Sequence, residues 1–419
     1  MFRFMKIGGF SAAALSIQFI GGSLVASPLS FTQERAVEHA LERNVLHQAA
    51  QTFVDQAEGR SLQAGRWENP EVKLEYASDR AFNDEGELGF GIGFEQTFPI
   101  TNRLRLEKRI ARDEIELARA EVAKASRLLK QRVASTFIQV AEIEAQMALR
   151  DELLELYSSF AEFVSSRVAT GEASEVEVNQ IQIERYTVEQ ERQGLANQHA
   201  LELSKLRKLL GLDPKSMLKV QHVFLPPVSS PELPIVAPSL IEAQPAYRIK
   251  TLLCEIAEQQ VSVAKAQRWA DIAIEVFYEE ERGVDAPSGL GRDRFFGIGV
   301  SVPLPLLNTQ QGTIAERRAR SDQFRFELQA AKLELENDAS FRREQVLRLY
   351  TQAQAYDARL TQLVAKNLKD MQDAYASGQI ALTELFRAQE QAFKVRSTHL
   401  SLLHDYEQAM IDWHALIAK

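Results

Sequence analysis

The sequence predicts a mainly α-helical fold in which very long helical hairpins accompany four β-strands per protomer. Three observations predict it. Two stretches of more than sixty residues contain neither glycine nor proline, four shorter segments alternate between apolar and polar or small residues, and the same motifs recur about 200 residues apart. The alternation is typical of membrane-barrel strands. Four strands cannot close a barrel, so we expect several copies of the chain to pool their strands.

The internal repeat shows that the chain contains two copies of one unit. Each copy has the same predicted order of helix, two strands, very long helix, tight turn and return helix. The matching segments keep an offset between 202 and 207 residues, and a duplication explains this better than chance. They are residues 64–67 (AGRW) and 266–269 (AQRW), 90–94 (FGIGF) and 296–300 (FGIGV), Asn102 and Asn308, and 170–172 (TGE) and 377–379 (SGQ).

The N-terminal residues have the composition of a secretory signal. Arg3 and Lys6 precede an apolar stretch at 7–26, and small residues follow it, so we expect residues 1–27 to be removed. Loss of those two cations takes the formal net charge from −9 to −11. This acidic balance is unlike that of nucleic-acid-binding proteins. The single cysteine, Cys254, lies in a helical stretch, where we expect it to be buried and inert.

The long helices are predicted at 103–170 and 313–377. Both stretches are rich in Ala, Leu, Glu, Arg and Gln, and each helix would be ~100 Å long. Val133, Val140, Met147 and Leu154 recur every seven residues, with a second apolar row beside them. Two adjacent seams predict helical neighbours on two sides, as in the wall of a tube. An ordinary dimeric coiled coil is the alternative.

The predicted turns at Gly171 and Gly378 reverse the chain into return helices at 175–210 and 382–417. Ser174 and Glu177 have the spacing of a capping box. A proline-rich middle segment at 211–240 separates the first repeat, 28–210, from the second, 241–419.

The strands are predicted at about 71–98 and 271–302, with polar loops at 78–87 and 280–294. In each strand one face is apolar or aromatic and the other is polar or small. That pattern and a length near ten residues are typical of tilted strands that cross a bilayer. Three copies of the chain would supply twelve strands, which lies within the range of known barrels.

These motifs resemble those of the TolC family of outer-membrane efflux proteins. The residues that carry the resemblance are 90–94 (FGIGF), 98–100 (FPI), 169–178 (ATGEASEVEV), 209–214 (LLGLDP), 299–306 (GVSVPLPL) and 375–378 (YASG). Arg268, Trp269 and the run 303–308 (PLPLLN) resemble the cobalt–zinc–cadmium branch in particular.

The resemblance implies a homotrimer with a twelve-stranded barrel in outer-membrane lipid and a helical tunnel through the periplasm. It implies two protein partners, a periplasmic adaptor and an inner-membrane RND-type transporter that supplies the energy. The duct itself would conduct passively, with heavy-metal cations as the expected cargo. No enzymatic activity, cofactor, bound metal or nucleic-acid partner is expected.

The resemblance also implies the site residues. Acidic side chains six positions after each tip glycine correspond to Glu177 and Glu384, and the tyrosine three positions before the second glycine to Tyr375. Ile380 and Arg387 replace family residues of different charge, so we expect a different closing network, with Arg387 lining the pore beside Glu384. The predicted adaptor contacts are the tip residues Gly171, Glu172, Ala173, Ser174, Gly378, Gln379, Ile380 and Ala381.

Two alternatives remain at this stage. One is a multidrug or type I protein-secretion duct of the same family. The other is a soluble periplasmic coiled-coil or adaptor protein, which should not fractionate with outer membranes.

Overall fold

The computed structural model describes residues 29–82, 84–235, 237–285, 289–356 and 358–417. The predicted signal segment, 1–27, lies outside them. In chain order the elements are β1 (Leu29–Phe31), α1 (Gln33–Arg43), α2 (Val45–Gln63), β2 (Glu71–Ser78), β3 (Leu88–Phe98), α3 (Arg103–Ala169), α4 (Glu175–Leu210), β4 (Leu218–Val220), α5 (Pro238–Glu242), α6 (Pro245–Ala266), β5 (Ile272–Asp285), β6 (Gly289–Ser301), α7 (Gln311–Ala355), α8 (Ala358–Ala376) and α9 (Leu382–Ile417).

The long helices stand side by side in four columns. Helix α3 runs unbroken for 67 residues, or ~100 Å. On one side it packs first against α2 and then against α4, and on the other first against α6 and then against α9. Helices α7 and α8 form the fourth column, against α6 and α9. This arrangement gives α3 the helical neighbours on two sides that its paired seams predict. None of the described helices has both the length and the apolar content that crossing a membrane requires.

The largest core cluster lies where the interrupted columns meet. Phe137 and Ile138 of α3 are fully buried there against Leu206 and Leu210 of α4. The parallel strands β1 and β4 close over this cluster, a pairing that the sequence did not predict. Asn44 explains the break between α1 and α2, because its Oδ1 accepts a hydrogen bond from the His47 N–H (3.0 Å).

The second long helix was predicted as one element over 313–377 and is two, which corrects the prediction. Tyr356 ends α7 with a ψ of 57°, outside the helical region. Its ring stacks on His399 of α9 with an interplanar angle of 11°. The Gln354 amide donates to the Pro227 carbonyl of the middle segment. Tertiary contacts therefore accompany a break that no glycine or proline signals.

The four long strands form one antiparallel sheet in the order β2-β3-β5-β6. Cross-strand rows show that the predicted faces are correct. One row joins Val72, Phe94, Val276 and Ile298, all apolar. The next residue along each strand falls on the opposite face, in a row of Lys73, Gly93, Phe277 and Gly297.

The second hairpin is longer than predicted. Strands β5 and β6 pair from Ala273 with Ser301 to Asp285 with Gly289, so most of the predicted loop at 280–294 is strand. Its polar residues alternate across two faces as strand residues do, and their polarity alone gave the wrong assignment. Phe277 is unexpected on the small, polar face. A side chain at Gly297 would approach the Phe277 ring to 2.4 Å, so this glycine leaves room for the ring.

Gly211, which ends α4, should tolerate no side chain. Its φ is +68°, and a Cβ there would lie 2.6 Å from the Arg43 carbonyl oxygen. We expect Gly211→Ala to lower the free energy of unfolding by at least about 1–2 kcal/mol, which is the cost of a left-handed conformation for a residue with a side chain. The thermal unfolding midpoint in detergent should fall accordingly.

Gly194 is the matched control because it lies inside the same helix with open space around it. Gly194→Ala should raise the midpoint, because alanine favours a helix by about 1 kcal/mol over glycine. Equal midpoints for the two variants would contradict this assignment.

Candidate functional site at the helix tips

The two helix tips have the same backbone geometry, as the repeat predicts. Gly171 and Gly378 both adopt left-handed φ values, +79° and +73°. At the first tip the Glu172 N–H donates to the Arg167 carbonyl (2.8 Å), and at the second the Gln379 N–H donates to the Ala374 carbonyl (2.9 Å). This pattern closes a helix on an αL glycine. The predicted tip residues at 171–174 and 378–381 therefore form two equivalent turns.

The capping box predicted at Ser174 and Glu177 is only half formed. The Ser174 hydroxyl accepts from the Val176 N–H (3.2 Å), so the helix start is capped. The Glu177 carboxylate, however, accepts from Tyr375 of α8 instead of returning to the cap. The hydrogen bond with Tyr375 therefore replaces the one that the Glu177 side chain would make in a capping box.

Tyr375 and Glu177, both predicted site residues, join the two repeats at the tips. The Tyr375 Oη donates to Glu177 Oε2 at 3.3 Å, across 198 residues of sequence. Tyr375 is buried, and its ring lies 6.5 Å from the Phe160 ring and 6.4 Å from the Phe163 ring of α3. The hydrogen bond therefore lies at the edge of an apolar cluster that holds the two hairpins together.

Burial is the main reason that the pKa of Tyr375 rises from 10.0 to about 12. The negative charge of Glu177 and its hydrogen bond with the phenol raise the pKa further. Because the pKa is higher in the folded state, the stability that the contact supplies is complete below pH 10.0. That stability is lost as the pH rises towards about 12.

The other predicted residues take different roles. Glu384 and Arg387 are exposed on α9, and no ion pair joins them within the protomer. An exposed ion pair between them would contribute only ~0–1 kcal/mol to stability. Ile380, where the family has a charged residue, packs against the same cluster as Tyr375. The contact between the hairpins is therefore more apolar than the family pattern implies.

Sequence reasoning missed the aromatic residues around Tyr375. Tyr157, Phe160 and Phe163 recur every three residues on α3, and the Tyr157 ring meets Phe386 of α9 edge-on at 5.8 Å. Their helical spacing was a usable signal, but only the fold shows that they face α8 and α9. Cys254 is buried, as predicted. Within the described ranges, no group of three or more His, Cys, Asp or Glu residues is arranged to hold a metal ion.

Comparison with known proteins confirms the predicted resemblance. Residues 36–212 match the family described as outer membrane efflux protein. The cobalt-zinc-cadmium resistance protein CzcC of Cupriavidus metallidurans is 22% identical over 386 residues, which cover 92% of this chain and 88% of that protein.

Solved structures show the same fold. The chain is similar to CusC with a TM-score of 0.76 at 17% identity, over 92% of this chain and 91% of CusC. It is similar to VceC of Vibrio cholerae with a TM-score of 0.74 at 18% identity, over 92% of this chain and 95% of VceC.

Replacing the Glu177 carboxylate by an amide should lower the pKa of Tyr375. In Glu177→Gln the pKa should fall from about 12 but stay above 10.0, because burial remains. Absorbance at 295 nm against pH, minus that of the matching Tyr375→Phe protein, isolates this tyrosine. Glu175→Gln, an exposed neighbour in the same helical turn, should leave the value unchanged. An unchanged pKa in Glu177→Gln would show that the contact does not form in solution.

Proposed function

We propose that this protein, whose residues 36–212 match the outer membrane efflux protein family, is the trimeric exit duct of a tripartite pump of the RND type. One observation carries the proposal. A single protomer combines ~100 Å helical columns with an open four-stranded sheet that exposes an apolar face. Neither part is complete alone, and a closed ring of copies would complete both.

The sheet supports a position in a membrane. Residues of the apolar face are largely exposed in the protomer, including Leu74 (69%), Phe296 (73%) and Ile298 (68%). Strands β2 and β6 form its two edges and have no further partner among the described strands. Unpaired backbone groups are not tolerated in hydrocarbon. Three copies would join their edges into a twelve-stranded barrel in outer-membrane lipid.

The helical columns support the same assembly. Their outer edges carry large apolar side chains that the protomer leaves exposed, some at the seven-residue spacing of a packing seam. These residues are Val176, Ile183, Tyr186 and Leu201 on α4, and Phe326, Leu333, Phe341 and Leu363 on α7 and α8. A neighbouring copy would bury each edge and close a periplasmic tunnel.

The second face of the sheet would line the bore. It carries Lys73 with ion pairs to Glu95 and Glu275, and further carboxylates at Glu75 and Glu279. The glycines between them leave space next to these charges. A polar face of this kind suits a water-filled passage. The duct would conduct passively, with energy supplied by the inner-membrane transporter.

The helix tips would meet the periplasmic adaptor. The two equivalent turns at 171–174 and 378–381 would form the contact surface. Glu177, Tyr375, Glu384 and Arg387 would set the closed state of the entrance above them. Heavy-metal cations are the proposed cargo, because the relative named for cobalt, zinc and cadmium resistance matches across nearly the whole chain and the bore face is rich in carboxylates.

Deletion of the gene tests the proposed cargo. The deletion strain should become sensitive to cobalt, zinc and cadmium salts and keep its resistance to organic drugs, and a plasmid copy should restore growth. Drug sensitivity alone would favour the multidrug alternative. Loss of a secreted protein without either sensitivity would favour the secretion duct. Recovery of the protein outside the outer-membrane fraction would contradict the duct itself.

Glu384→Gln tests the proposed entrance. Three symmetry-related carboxylates at this position would attract cations and repel one another. Single-channel recordings should therefore show lower cation selectivity in Glu384→Gln. The loss should be larger at 0.01 M salt, where the Debye length is ~30 Å, than at 1 M, where it is ~3 Å. Glu384→Asp keeps the charge and should behave like the unmodified protein. Unchanged selectivity in Glu384→Gln would remove this residue from the entrance.

A further inference from the structure

A recess of about 590 Å³ lies where the helical columns meet the sheet. It is bounded by the end of α2, the link to β2, and the first turns of α3. Its lining includes Arg66, Trp67, Asn69, Lys108 and Arg112. None of these residues belongs to the site at the helix tips, which lies at the far end of α3.

Gly65 holds the link against α3 and so forms the recess. Its φ is +60°, and a Cβ there would lie 2.3 Å from the Leu104 carbonyl oxygen and 2.7 Å from the Lys108 side chain. The close approach brings Arg66 and Trp67 next to the cations of α3. The backbone conformation at Gly65 therefore shapes the recess.

Trp67 places the recess at the end of the apolar face. Its ring packs edge-on against Phe98 at 5.5 Å, and Phe98 is the last residue of β3. Phe98 belongs to the same face as Phe90, Ile92 and Phe94, because strand residues two apart share a face. Trp67 is nevertheless 59% exposed. An exposed tryptophan between an apolar band and a polar region is typical of a membrane–water interface.

The cations of the recess lack acidic partners. Within the part of the chain that the structure describes, no ion pair includes Arg66, Lys108 or Arg112. Nearby Arg103, in contrast, is paired with Glu107 (3.2 Å) and Asp271 (2.6 Å). Glu68, an acid close in sequence, accepts from the Thr97 hydroxyl (3.1 Å) instead. The recess therefore concentrates positive charge in a chain whose net charge is negative.

The second repeat keeps only part of this lining. Gln267 occupies the position of Gly65, with a φ of −68°, and the buried Ile314 occupies the position of Lys108. Arg268, Trp269 and Arg318 retain the side chains of their counterparts, Arg66, Trp67 and Arg112. The close approach at Gly65 and the charge of Lys108 are therefore particular to the first copy.

We propose that this recess binds the phosphate of an anionic phospholipid headgroup in the periplasmic leaflet of the outer membrane. The proposal rests on the proposed function, which places the apolar face of the sheet in that membrane. Trp67 sits at the depth where indole rings concentrate, and the cations lie on its helical side, at headgroup depth. Arg and Lys side chains donate well to phosphate oxygens, and Asn69 adds a neutral hydrogen-bonding group.

Native mass spectrometry of the full-length protein in detergent tests the proposal. Phosphatidylglycerol should bind more tightly than zwitterionic phosphatidylcholine. Lys108→Gln combined with Arg112→Gln should weaken phosphatidylglycerol binding about 25-fold, from a contribution of roughly fivefold per cation at a membrane surface. Arg109→Gln is the matched control, since this exposed cation of the same helical turn does not line the recess. It should change the affinity little.

Three results would overturn the proposal. One is equal affinity for the two lipids. Another is equal loss of affinity in the double variant and in Arg109→Gln. The third is displacement of phosphatidylglycerol by an equal concentration of inorganic phosphate, which would identify a free-anion site. Membrane fractionation of the unmodified protein tests the proposed function separately. A protein that is found in the outer-membrane fraction but shows no lipid preference would contradict the lipid site and leave the proposed function standing.

Discussion

Unsatisfied backbone groups at the two edges of the sheet determine the organisation of this molecule. Strands β2 and β6 each offer one row of N–H and C=O groups that no described strand pairs. The apolar face between those edges makes a bilayer the favourable surroundings, and a bilayer supplies no hydrogen bonds to replace the missing ones. In the proposed trimer, copies of the chain would close into a ring that buries the face and pairs the edges.

The helical columns, like the sheet, leave large apolar side chains exposed in the protomer. Helix α3 is continuous, whereas its neighbours are made of shorter helices placed end to end, α2 with α4 and α6 with α9. The main core cluster and the β1–β4 pair lie at the end of α4, and the cluster buries residues of α1, α3 and α4. A long helix thus acts as the common support, and the duplicated units supply the pieces that pack on both of its sides.

Much of this architecture could be read from the sequence because its signals are local and periodic. The absence of glycine and proline predicted α3, and the alternation of apolar with polar or small residues predicted the faces of the sheet. Gly171 and Gly378 predicted the turns. The errors occurred where a distant contact overrides a local signal. The break at Tyr356 accompanies stacking on His399. The Glu177 carboxylate accepts a hydrogen bond from Tyr375 instead of completing a capping box. Phe277 lies in a polar row because Gly297 leaves space for its ring. The exposed positions of Glu384 and Arg387 likewise depend on how the hairpins pack.

The interruption between α7 and α8 makes the two hairpins of a protomer mechanically unequal. The first hairpin is a rigid strut from sheet to tip, since α3 has no joint along its length. The second is jointed near its middle, and below the joint α8 packs mainly on α9. In a threefold ring, six near-equivalent hairpins would alternate between stiff and compliant. A load applied around the ring would then bend every second hairpin. The motion would have threefold symmetry, although the repeated sequence makes the six hairpins nearly equivalent.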